Sequence, residues 1–112
     1  MSEAVRKPFE IICYHCAQAI EKYLKGYLTY NDITPQKTHN LLLLLELCIE
    51  KDINFQNVRA ECGLLNKFTN ETRYPHRIEI REEDMIYSIS AVERIKNIEP
   101  IKLLRDITEN NT

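Results

Sequence analysis

Apolar residues recur every third or fourth position along most of this chain, the period of an amphipathic α-helix, and strand-type alternation is scarce. Phe9, Ile12, Cys13, Cys16, Ala19, Ile20, Tyr23, Leu24, Tyr27 and Leu28 form a broad apolar stripe, with Glu10, Tyr14, Gln18, Glu21, Lys22 and Lys25 on the other side. This predicts one long helix over about 6–30, supported by a Glu21 to Lys25 pair one turn apart and by Pro8 in an opening turn, where its missing amide is harmless. "NDITP" ends it, because Asn31 and Asp32 favour turns and Pro35 biases Thr34 away from helix. A second helix is expected over about 39–50 with Thr38 as N-cap, and its five consecutive leucines call for a central position with neighbours nearly all round. Val58, Cys62, Leu65, Phe68 and Thr72 space a third helix over about 56–72. Met85, Ile86, Ile89, Val92 and Ile95 space a fourth over about 82–97, which opens on Glu82, Glu83 and Asp84 and closes with Arg94 and Lys96, as the helix dipole favours. Pro100 opens a short last helix with Ile101, Leu104 and Ile107 inward, before a polar tail, "TENNT", that should fray.

Short connections favour antiparallel neighbours, so the expected fold is all-α, an antiparallel up-and-down four-helix bundle with a short fifth C-terminal helix. At 112 residues the chain is long enough for one domain, residues 1–112, and too short for two. In that topology the first helix ends, the second starts, the third ends and the fourth starts at one pole. His39, Arg73, His76 and Arg77 would gather there with Tyr27, Tyr30 and Lys25 nearby, and the free amides at the start of the second helix would suit an anion. His15 lies several turns away, flanked by Tyr14 and Cys16, where contact with a partner is its functional reading.

With 17 acidic and 15 basic residues the protein is slightly acidic, so an anion site must be local rather than a general basic coat. "LLLLLELCI" is too short to span a membrane and no leader pattern opens the chain, which reads as a cytoplasmic protein. Four cysteines, Cys13, Cys16, Cys48 and Cys62, sit in apolar surroundings, as buried thiols of a reducing compartment do. Cys13 and Cys16 form a C-x-x-C, but it falls within a helix without a second pair, and small core residues are the reading preferred over a redox or zinc site. No phosphate-cradling glycine loop, metalloprotease motif or paired cysteine motif is present, so no metal and no cofactor is expected.

The candidate chemistry lies in "TNETRYPHRIEIREED", residues 69–84. A guanidinium fork matches a phosphate, which makes Arg73 a candidate clamp; its structural alternative is to hydrogen-bond the last carbonyls of a helix or to pair with Glu71 or Glu79. His76 is a candidate general base or acid if its loop folds over Arg73, and an exposed connector residue otherwise. Tyr74 and Tyr27 offer rings to a base or hydroxyls to a core rim. His39 either binds at the helix start or buttresses the preceding loop, and Arg77 and Lys25 add positive charge.

"CYHCAQAIEKYLKGYL" (13–28), "THNLLLLLELC" (38–48) and "TNETRYPHR" (69–77) together resemble the HEPN domain, a helical-bundle family found with prokaryotic nucleotidyltransferases, in toxin modules and in RNA-processing and defence proteins. The resemblance implies a homodimer whose paired helices make a composite groove. In active members it implies a metal-independent endoribonuclease built on an arginine and a histidine downstream. Family histidines follow after four to six residues, whereas only two separate Arg73 from His76. "TRYP" resembles the minimal subgroup that accompanies a separate nucleotidyltransferase protein. Two functions follow from the resemblance: a helical binding partner of a nucleotidyltransferase in a toxin–antitoxin pair, contacting RNA or nucleotide phosphate through Arg73, Tyr74, Arg77, His39 and Lys25, or an endoribonuclease acting through Arg73 and His76.

Overall fold

The computed structural model describes residues 8–69 and 80–110. Helix α1 runs Pro8–Tyr30, α2 Leu41–Lys51, α3 Arg59–Leu65, α4 Glu82–Lys96 and α5 Glu99–Asn110. There is no strand among the described residues. The chain is an all-α helical bundle with a fifth, C-terminal helix, as the apolar periodicity predicts.

α1 is the centre of the packing and touches each of the other four helices. Cys13, Ala17, Ile20, Leu24, Tyr27 and Leu28 are buried along it at three- and four-residue steps. Its main partner is α4, and the seam is narrow because small residues face each other: Cys13 and Ala17 on α1, Ser88 and Ala91 on α4, all fully buried or nearly so. Ser88 donates to the Asp84 carbonyl at 2.8 Å and lies 3.4 Å from Cys13 Sγ, so a polar side chain is satisfied without widening the seam.

The expected central place of α2 is not what forms. Leu41, Leu44 and Leu45 are fully buried, whereas Leu42 is half-buried and Leu43 is 38% exposed. Five consecutive helical positions point all round the axis, and a helix flanked mainly by α1 and α3 leaves one arc to solvent. Its start also differs, since the N-cap is Asn40, whose side chain accepts from the Leu42 and Leu43 amides at 3.0 and 3.2 Å. Thr38 acts one step earlier, accepting from the Asn40 amide at 3.1 Å.

The expected third helix is broken. Residues 53–58 form a 3₁₀ segment, α3 covers seven residues, and a second 3₁₀ turn takes 66–68. Asp52 explains the first interruption: its backbone is extended and its carboxylate accepts from the Asn54 amide at 2.9 Å, which starts a new segment one residue after α2 ends. Phe55 is thereby turned inward onto Tyr27, ring centroids 4.7 Å apart. Thr72, placed on this helix by its spacing, lies outside the described residues.

α1 closes as the turn residues predict, in a Schellman arrangement: the Ile33 amide donates to the Leu28 carbonyl at 2.9 Å, the Asp32 amide to Thr29 at 3.0 Å, and Asp32 adopts the left-handed φ of 63°. The chain then returns alongside α1 before α2 begins. His39 stands next to Glu21 in the middle of α1, while Cys48 reaches the Leu24 carbonyl and Phe55 meets Tyr27. α2 and α3 run antiparallel, tied by Glu46 to Arg59 at one end and Asn40 to Asn66 at the other. α5 crosses the second half of α1, with Ile101 fully buried and Leu104 beside Gly26. It is longer than expected: the polar residues Thr108 and Glu109 are helical. All four cysteines are free, and no helix among the described residues is long and apolar enough to cross a membrane.

Candidate functional site

The return of the chain along α1 splits the expected pole. Tyr27 and Tyr30 sit at the far end of α1 with Asp52, Pro100 and Leu103, in a cleft of about 190 Å³, and Tyr27 is core, its hydroxyl held above the usual range by burial and then by the nearby Asp52. His39 and Lys25 converge elsewhere, on Glu21. Arg73, Tyr74, His76 and Arg77 lie outside the described residues. Their approach to this cluster therefore remains an expectation from the sequence.

The hydrophobic pattern puts Glu21 on the polar side of α1, yet it is only 9% exposed. The spacing Ala17, Glu21, Leu24, Leu28 contains the reason: Glu21 occupies a position of the buried stripe that an aliphatic residue would otherwise fill. Its carboxylate accepts from Lys25 Nζ at 2.8 Å, within the helix, and from His39 Nδ1, which lies 3.1 Å from each carboxylate oxygen. An ionised carboxylate only accepts, so Nδ1 carries the proton in this pair and Nε2 is the ring nitrogen left for other work. The His39 side chain is 65% exposed, which gives that nitrogen access to solvent or ligand.

Asparagine side chains fix the surroundings. Asn66, just past α3, accepts from the Leu41 amide at 2.8 Å and donates to Asn40 Oδ1 at 3.2 Å. With Leu42 and Leu43 held by Asn40, the amides at the start of α2 are already occupied, so the anion site expected of them is not available. What remains there for an anion is side-chain chemistry: an imidazole oriented by a buried carboxylate and an ammonium a turn away.

Two other features were candidates. Cys13 and Cys16 do not form a reactive pair: burial raises both thiols, and no cluster of three metal-binding side chains exists among the described residues. Cys48 and Cys62 are pushed up to about 12, by burial first, which makes them inert core thiols. His15 is exposed and lines an apolar groove between α1 and α4 with Ile12, Cys16, Ala19, Ile89, Val92 and Glu93, a groove of about 280 Å³.

No curated protein and no solved structure shows a significant match to the chain. A family model described as the HEPN domain matches residues 3–102, which takes in α1 through α4, Glu21, Lys25, His39 and the start of α5. With the match extending over most of its length, the chain belongs to the HEPN domain family.

Proposed function

We propose that this HEPN protein is the helical partner of a separate nucleotidyltransferase, of the minimal subgroup that accompanies such enzymes, and that it works in the cytoplasm as one half of a toxin–antitoxin pair, engaging a phosphate of RNA or of a nucleotide. The supporting observation is the Glu21 cluster. Taking a carboxylate out of water costs several kcal/mol before its partners compensate, and an aliphatic side chain would pack this position of the stripe without that cost. A glutamate there, gripping an imidazole from one element and an ammonium from its own, is economical only if the held groups are used. In this reading Arg73 supplies the guanidinium fork to the phosphate, Lys25, Arg77 and His39 supply charge and hydrogen bonds, and Tyr74 stacks on a base.

The protein pairs with a second copy of itself through the face that α1 and α4 share, where Ile89 in the groove and Ile86 on α4 are 46% and 54% exposed and are left so by the other described residues. A homodimer would bring two Glu21 clusters into one assembly.

The geometry of His39 favours a second reading, a metal-independent endoribonuclease. An imidazole whose Nδ1 donates to a buried carboxylate presents Nε2 as a base for a ribose 2′-hydroxyl, a role for which His76 has been the only sequence candidate near Arg73. The deciding experiment incubates the protein with RNA in chelator, alone and with a minimal nucleotidyltransferase of the class proposed as its partner. No cleavage together with stable capture of the transferase is the expected result. Cleavage that Arg73→Ala and either His39→Ala or His76→Ala abolish would replace the first reading by the second.

A further inference from the structure

Lys25 belongs to two places at once. One face of it meets Glu21, and it also lines a shallow groove between α1 and α5 formed with Lys22, Gly26, Thr29, Tyr30, Leu104 and Thr108, of about 530 Å³. The groove lining holds two lysines, three hydroxyl-bearing side chains and no carboxylate, on a protein that carries more acid than base overall. Lys22 is exposed and makes no ion pair among the described residues, so its charge is available. Tyr30 is 57% exposed at one end of the groove, an aromatic face that the core does not use.

Gly26 lies between these groups, well inside α1 and exposed. A glycine within a helix costs roughly 0.5–1 kcal/mol relative to alanine, and packing does not demand it: a Cβ at Gly26 would meet nothing nearer than Leu104 Cδ2 at 4.0 Å, an ordinary contact. Its φ is not left-handed either. What the missing side chain does provide is an open groove floor between Lys22 and Tyr30, each about one turn of helix from Gly26.

We infer that the α1 and α5 groove seats the backbone of a single-stranded RNA, with Lys22 on a phosphate and Lys25, shared with Glu21, adding charge beside it, Thr29 bonding its sugar–phosphate edge, Tyr30 beneath a base, and Gly26 left bare so that the strand can approach the helix. This rests on the phosphate-binding reading above and extends it, since Lys25 joins the groove to the Glu21 and His39 cluster. An extended polyanion is the occupant that an unpaired lysine with a second one beside it, the Thr29 hydroxyl and a stacking face fit together.

The test is fluorescence anisotropy of the full chain with a short labelled oligouridylate at several salt concentrations, using wild type, Gly26→Gln, Lys22→Ala, Tyr30→Ala and Arg73→Ala. Gly26→Gln fills the groove with a better helix former, so its expected signature is a raised thermal midpoint with affinity lowered by about tenfold, a combination that structural damage cannot produce. Lys22→Ala is expected to lower the salt slope by about one phosphate contact. Groove variants that bind like wild type while Arg73→Ala binds weakly would overturn the groove and leave the phosphate reading standing. Polyglutamate competing as well as RNA, with no effect of Tyr30→Ala, would reassign the groove to an acidic peptide. Absence of any RNA binding by wild type at low salt would overturn both this inference and the reading on which it rests.

Discussion

Glu21 owes its energetics to its partners. Lys25 and His39 keep 28% and 65% of their side chains in solvent, so the pairs are screened and their loss is moderate rather than severe. Glu21→Ala should lower stability by about 1 kcal/mol by urea unfolding, and Glu21→Leu, which fits the buried stripe, should be neutral or stabilising while abolishing whatever binding the cluster supports. A stable, inactive Glu21→Leu protein would separate function from packing at one residue. The thiols make a pH prediction. Burial raises Cys48 and Cys62 from 9.0 to about 12 in the folded protein, so both stay neutral where the unfolded chain already ionises. Their contribution to stability is complete below 9.0 and is lost as pH rises from there towards 12, at up to about 1.4 kcal/mol per pH unit for each thiol. The urea midpoint should therefore fall above that point, and less steeply in Cys62→Ala, which packs the same site without a titrating group.

Between elements, the caps decide where the chain turns. Asn40→Ala removes the acceptor for two amides and one contact to Asn66, and it should cost about 1–2 kcal/mol, whereas Thr38→Ala, which loses a single exposed bond, should cost well under that. Thermal unfolding of the two variants orders them. Asp32→Gly should raise stability by up to about 1 kcal/mol, because the left-handed position that closes α1 suits a residue without a Cβ. The five helices, and α1 and α4 almost to the residue, were legible in the sequence because long apolar periodicity determines them. The start of α2 was not: Thr38, His39 and Asn40 form a run in which two residues have capping side chains, and only the arrival of Asn66 from a distant segment selects the second. The break in α3 was equally hidden, since Asp52 restarting the chain at Asn54 leaves the helical spacing of Val58, Cys62 and Leu65 intact. Glu21 was readable in principle from its place between Ala17 and Leu24, but its charge and its pairing with Lys25 marked it as surface.

For the molecule as a whole, the arrangement of helices about α1 predicts its assembly. Ile89→Glu changes a side chain that is 46% exposed in the single chain and should leave the fold intact, while halving the mass seen by analytical ultracentrifugation if the α1 and α4 face joins two copies. An unchanged mass would move the interface elsewhere. The Cys13, Ala17, Ser88 and Ala91 seam has a consequence for how the protein is made. α1 is complete at Tyr30, but α4 does not end until Lys96, so the helix at the heart of the bundle is made before the other four and is among the last to be fully covered. At roughly 5–20 residues per second the nascent chain carries the α4-facing side of that helix uncovered for about 3–13 s, while α2 and α3 take its other sides. Throughout that interval the side with Cys13 and Ala17 is open to chaperones, and to the corresponding side of a chain growing on the neighbouring ribosome of the same message.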